Sequence, residues 1–118
     1  MEKPYKKLDA WKLSMDLVID VYQTTDKFPR QEKYSLTDQI RRATISIPSN
    51  IAEGAARQTK KEFANAQGSL SELDTQLELA RRLGYLDDET WKILDQRMER
   101  IDKVISGLIH HVSLQKKT

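Results

Sequence analysis

The stretch Leu36-Thr-Asp-Gln-Ile40-Arg-Arg-Ala43-Thr-Ile45-Ser-Ile47-Pro48-Ser-Asn-Ile51-Ala-Glu-Gly54-Ala-Ala-Arg57 decides the fold. Leu36, Ile40, Ala43, Ile47 and Ile51 recur every three or four residues, so they share one face of an α-helix. That face continues across Pro48. Proline has no N–H, and its ring collides with the carbonyl four residues back. The pattern therefore predicts one helix, kinked near residues 45–47, rather than two. Ile45, Pro48, Ala52 and Ala56 form a second apolar stripe, roughly 100–150° from the first. One partner face cannot bury both.

The helical period holds on either side. Leu8, Trp11, Met15, Val18 and Tyr22 step by three and four. So do Phe63, Ala66, Leu70, Leu73, Leu77 and Ala80, and so do Trp91, Leu94, Met98, Ile101, Ile105, Leu108 and Val112. These are the seams of helices packed at shallow angles. Phe28-Pro29 stops the first helix, because the residue before proline avoids the helical region. Ser35-x-x-Asp38 and Thr59-x-x-Glu62 read as capping boxes for the second and third. Gly84 ends the third in the left-handed conformation, and Asp87 caps the fourth. Helices are expected at about 9–27, 35–57, 60–83 and 88–113, with a frayed tail at 114–118. Short connections make neighbours antiparallel. The expected fold is all-α: a single-domain up-down-up-down four-helix bundle spanning 1–118.

Composition agrees. In 118 residues there are four Gly and three Pro, too few for a turn-rich β fold or a disordered linker. With no Cys there is no disulfide framework, thiolate metal site or thiol nucleophile. A reducing, cytoplasmic setting is the expectation. No signal-peptide core or membrane span can be drawn. The net charge of +2 hides an asymmetry. Residues 1–61 hold 12 basic and 8 acidic side chains, and residues 62–118 hold 8 and 10.

Enzymatic signatures are missing. His110 and His111 are adjacent, so on a helix they point about 100° apart and cannot share a metal. No Glu-x-x-His, phosphate loop, dinucleotide fingerprint or nucleophile elbow occurs. No metal or cofactor is expected, and no catalytic residue. Gly68, beside Ser69 and Ser71, reads as a point of close helix approach.

Two polar groupings stand out. Arg42, Ser46, Ser49, Asn50 and Glu53 fall on one arc of the second helix, with Arg57 continuing it. They form either a hydrogen-bonded strip with Glu53 paired to an Arg, or an anion site with the arginines as fork donors. RNA cleavage by Arg42 and Glu53 is the one enzymatic version that can be written. Antiparallel packing also gathers Lys3, Lys6, Lys7, Arg57, Lys60 and Lys61 at one end. Six such charges make a phosphate footprint, with Tyr5 as the only nearby stacking aromatic. No helix-turn-helix or RNA-recognition motif accompanies them. The second stripe, together with Leu13, Leu17, Leu79 and Leu83 off their seams, argues for homo-oligomerisation.

Tyr34 to Ala43, followed by Ser46-Ile-Pro-Ser-Asn-Ile-Ala-Glu-Gly54, resembles the signature of the four-helix-bundle proteins named for intervening sequences in 23S ribosomal RNA genes. Leu8-x-x-Trp11, Val21-Tyr22, Phe28-Pro29, Phe63, Gly68-Ser-Leu-Ser-Glu-Leu73 and Gly84-Tyr-Leu86 extend the resemblance over about 8–113. Ser35 departs from it, since glycine usually follows the tyrosine. The resemblance implies a kinked bundle assembling into a ring, expected to be a homopentamer, without an assigned active site. Similar bundles serve as accessory proteins of diversity-generating retroelements, binding nucleic acid and a reverse transcriptase. The expected function is therefore a non-enzymatic oligomer that binds RNA or a ribonucleoprotein through its basic end. The alternative is a scaffold for a protein partner, such as a reverse transcriptase.

Overall fold

Apolar residues at helical spacing can be buried only when helices pack face to face, and the computed structural model resolves how. It describes residues 3–116, apart from the Lys116 side chain. The helices are α1 (Asp9–Thr25), α2 (Leu36–Arg57), α3 (Lys60–Arg82) and α4 (Asp88–Lys116). Single 3-10 turns at Pro4–Lys7 and Arg30–Glu32 precede α1 and α2. Both α1 and α3 pack against α2 and α4, so α1 and α3 occupy opposite corners. Side-chain bonds join antiparallel neighbours: Arg41 to Thr25, Ser46 to Ser69, Gln67 to Ser106 and Arg97 to Asp20. This is the expected all-α four-helix bundle. It measures 51 × 27 × 20 Å.

The core runs the length of the bundle. Leu17, Val21, Ile40, Ile47, Ile51, Phe63, Leu73, Leu77, Leu94, Ile101 and Ile105 are all buried in it. Truncating one such leucine to alanine costs about 2–5 kcal/mol. α2 passes through Pro48 without interruption.

The face of α1 differs from expectation. Its buried residues are Ala10, Ser14, Leu17, Val21 and Thr25, whereas Met15 and Tyr22 are exposed. The Ser14 hydroxyl donates to the Ala10 carbonyl at 2.6 Å, and that of Thr25 donates to Val21 at 2.7 Å. A hydroxyl satisfied by its own helix can be buried without an unmet polar group. Hydropathy marks these positions as polar, so the Trp11–Tyr22 row looks more core-like than it is.

The helix ends follow local chemistry, with corrections. Gly84 has φ +83°, with the Gly84 N–H on the Arg81 carbonyl and the Tyr85 N–H on Ala80, which is a Schellman ending. The Asp87 carboxylate accepts the Thr90 N–H at 2.7 Å, capping α4. Neither capping box forms as expected. Ser35 donates to Glu32 at 2.6 Å instead of to its helix, and Asp38 pairs with Arg42 at 2.9 Å. Ser35 has φ −126°, so no glycine is needed after Tyr34 in this turn. Thr59 donates to the Glu62 carboxylate rather than to a backbone N–H. α4 continues helically to Lys116, past the expected boundary at 113, and residues 117–118 lie outside the described ones.

The glycine of close approach is Gly54, not Gly68. A Cβ at Gly54 would lie 2.7 Å from the Phe63 ring, whereas one at Gly68 would meet nothing within 4 Å. Gly68 faces outward and is exposed.

Candidate nucleic-acid interface

One end of the bundle carries the start of the chain, the α2–α3 turn and the end of α4. Pro4 opens the 3-10 turn Pro4–Lys7, which packs on α1 and α2. The Tyr5 ring meets Trp11 edge-on at 5.6 Å, anchoring the segment that carries Lys3, Lys6 and Lys7. Across the end, Gln58 takes a left-handed conformation with φ +53°. Its N–H bonds the Gly54 carbonyl at 2.9 Å, closing α2 without a glycine. Lys60 and Lys61 then open α3. Lys3, Lys6, Lys7, Lys60 and Lys61 make no ion pair among the described residues.

Arg57 differs from the lysines. Its guanidinium lies 3.9 Å from Glu53 and 3.5 Å from Glu62. Glu62 is only 8% exposed at its side chain. The Thr59 hydroxyl, then its own backbone N–H, then Arg57 and Lys61 hold its carboxyl below the usual glutamate range. Two carboxylates thus neutralise Arg57, leaving five of the six expected cations available. The buried acid inside a basic cluster carries no sequence signal beyond its place at the helix start.

The polar arc of α2 is bonded largely within the bundle. Ser46 donates to Ser69 at 2.6 Å and joins α2 to α3. The Asn50 amide donates to the Ser46 carbonyl at 2.8 Å, and Ser49 donates to Ile45 at 3.0 Å. Glu53 pairs with Arg57 one turn on, and Arg42 pairs with Asp38 while 80% exposed. Arg42 and Glu53 therefore do not converge on a common point. His110 and His111 are both exposed near the end of α4. Among the described residues, no group of three His, Asp or Glu side chains is placed to hold a metal ion.

Apolar surface is left at two opposite corners and also on α4, where Ile93 and Leu114 are exposed. Met15, Ile19 and Tyr22 of α1, with Ile45 of α2, are exposed on one side. Trp11, Met15, Val18, Ile45, Pro48 and Ala52 line a groove of about 330 Å³ between α1 and α2. Leu79 and Leu83 are exposed on α3. No helix among the described residues is long and apolar enough to cross a membrane.

Comparison with known proteins agrees with this architecture. A solved structure from Bacteroides thetaiotaomicron, described as a protein with unknown function from the S23 ribosomal protein family, superposes with a TM-score of 0.75. It shares 21% identity and covers 85% of this chain and 97% of its own, which establishes a common fold. No curated protein matches. The pattern of the 23S rRNA-intervening sequence proteins matches residues 6–107, from the lysine-bearing first turn into the last helix. With four antiparallel helices and that match over most of its length, the chain belongs to the 23S rRNA-intervening sequence protein family.

Proposed function

We propose that this protein is a non-enzymatic, self-associating bundle that binds RNA through the end carrying Lys3, Lys6, Lys7, Lys60 and Lys61. The observation that carries the proposal is that these five cations, from two chain segments, share one end and lack ion-pair partners. Unpaired lysines attract phosphates and release counterions, with little regard for sequence. Association into a ring, a pentamer by the family resemblance, multiplies that footprint. Self-association is supported by the exposed apolar corners on α1/α2 and α3.

The test is filter binding of single-stranded and structured RNA at low salt. Binding at about 10 µM or tighter is expected, weakening as salt rises. The double variant Lys60→Gln/Lys61→Gln should flatten the salt slope by about 1–2 units. Salt-insensitive binding, or none, would overturn the reading.

The same apolar corners favour a second reading, a scaffold for a protein partner such as a reverse transcriptase. A reverse transcriptase gene beside this one would favour it.

A further inference from the structure

The opposite end holds a cleft of a different kind. Where α1 passes into α2, a cavity of about 300 Å³ is lined by Thr25, Asp26, Phe28, Pro29, Arg30, Lys33, Thr37 and Arg41. Three cations and one carboxylate border it, a balance of +2. The nearby Glu32 is engaged elsewhere, by Ser35 and by the Tyr85 hydroxyl at 2.9 Å.

Arg41 is held in position. Its Nε donates to the Thr25 hydroxyl at 2.9 Å and its Nη2 donates to the Tyr22 carbonyl at 3.3 Å. The guanidinium sits 4.4 Å from the centre of the Tyr22 ring. Three of the five guanidinium N–H donors remain unused by these bonds. A guanidinium already ordered by the protein loses little freedom on binding an anion.

Thr37 supplies an independent sign of a ligand. It is 6% exposed and lines the cavity, yet its hydroxyl has no partner among the described residues. Elsewhere Ser14, Thr25 and Thr44 satisfy their hydroxyls on the carbonyl four residues back. Thr37 is the second residue of α2, so the residue four back, Lys33, lies in the loop. No side chain caps the helix from Ser35, so the first-turn amide of Thr37 lacks an intrahelical acceptor as well. The Thr37 hydroxyl oxygen is not sealed inside the protein, so it stays open to a ligand in the cleft.

We propose that this cleft binds a phosphate group, free or on a phosphomonoester. The Thr37 hydroxyl and the Arg41 guanidinium hold the phosphate oxygens, while Arg30 and Lys33 balance its two negative charges. The cavity exceeds a bare phosphate, and Phe28 and Pro29 offer an apolar wall to an attached organic group. The lysines of the RNA-binding proposal lie at the other end, so the two proposals stand or fall separately.

Calorimetric titration of the full chain at low salt with inorganic phosphate, adenosine 5′-monophosphate and adenosine tests this. Saturable binding of one phosphate per chain at about 1 mM or tighter is expected, with no binding of adenosine. Tighter binding of the monophosphate than of phosphate identifies a phosphorylated small molecule as the source, and equal binding identifies free phosphate. Thr37→Val should weaken binding about tenfold. Arg30→Gln should weaken it several-fold without touching a structural bond, and Asp26→Asn should tighten it. Lys60→Gln should leave it unchanged. Absence of saturable binding overturns the proposal. So does an affinity indifferent to Thr37→Val and Arg30→Gln, or one that falls equally with Lys60→Gln.

Discussion

A single missing Cβ sets how closely α2 and α3 approach. Gly54→Ala would drive a methyl to 2.7 Å from the Phe63 ring, so thermal melts should show a loss of about 1–3 kcal/mol. Gly68→Ala meets nothing and should gain up to about 1 kcal/mol, because glycine is the poorer helix former. The opposite signs are the check. Asp74 supplies a pH-dependent case. Burial first, then Asp95 and Glu78, pushes its carboxyl up. Its charged form is therefore disfavoured in the folded state. Asp74→Asn should stabilise above the raised folded pKa by at most about 0.5 kcal/mol, since solvent screens the site. The gain should vanish below the ordinary aspartate value, where the wild-type carboxyl is protonated in both states.

At the scale of an element, α2 begins on a residue outside itself. Glu32 accepts bonds from Ser35, Tyr85 and the Leu36 N–H, which hold its carboxyl below the usual range. It ties the start of α2 to the turn after α3. Glu62 and Asp87 are lowered in the same way, by Thr59 and Thr90 first. Stability from such groups is present above the unfolded glutamate or aspartate pKa and is lost as pH falls through the lower folded values. Glu32→Gln should therefore lower the melting temperature at pH 7 and make little difference at the acid end of the range. It should also speed amide exchange at Leu36. Gly84 shows the backbone counterpart. With φ +83°, Gly84→Ala should cost about 1–2 kcal/mol in denaturant unfolding.

For the whole molecule, the positions of the apolar corners matter more than their number. Met15, Ile19 and Tyr22 lie at one corner and Leu79 and Leu83 at the diagonal one. Two different patches joined head-to-tail give a ring if the rotation closes and a filament if it does not. A two-fold dimer would instead pair one patch with itself. Ile19→Lys and Leu79→Lys should each reduce the mass measured by light scattering. Mixing the two variants should restore at most one native contact per pair, giving dimers. Restoration of a full assembly on mixing, or no effect of either variant, would refute head-to-tail packing.

The repeat of apolar residues every three or four positions determined four helices, and the short connections determined their antiparallel order. Both are local properties, so they are legible in the chain. Gly84 and Asp87 were equally legible, because a left-handed ending and an N-cap depend on neighbours within a few residues. Tertiary structure alone decided which face of α1 is buried, since Ser14 and Thr25 hide their hydroxyls on their own helix. It decided that Gly54 rather than Gly68 marks the close approach, and that Arg57 is neutralised by Glu53 and Glu62. It also brought Thr37, Arg41, Arg30 and Lys33 around one cleft. Each of these depends on where a second segment lies, and helical periodicity says which residues share a face but not what that face meets.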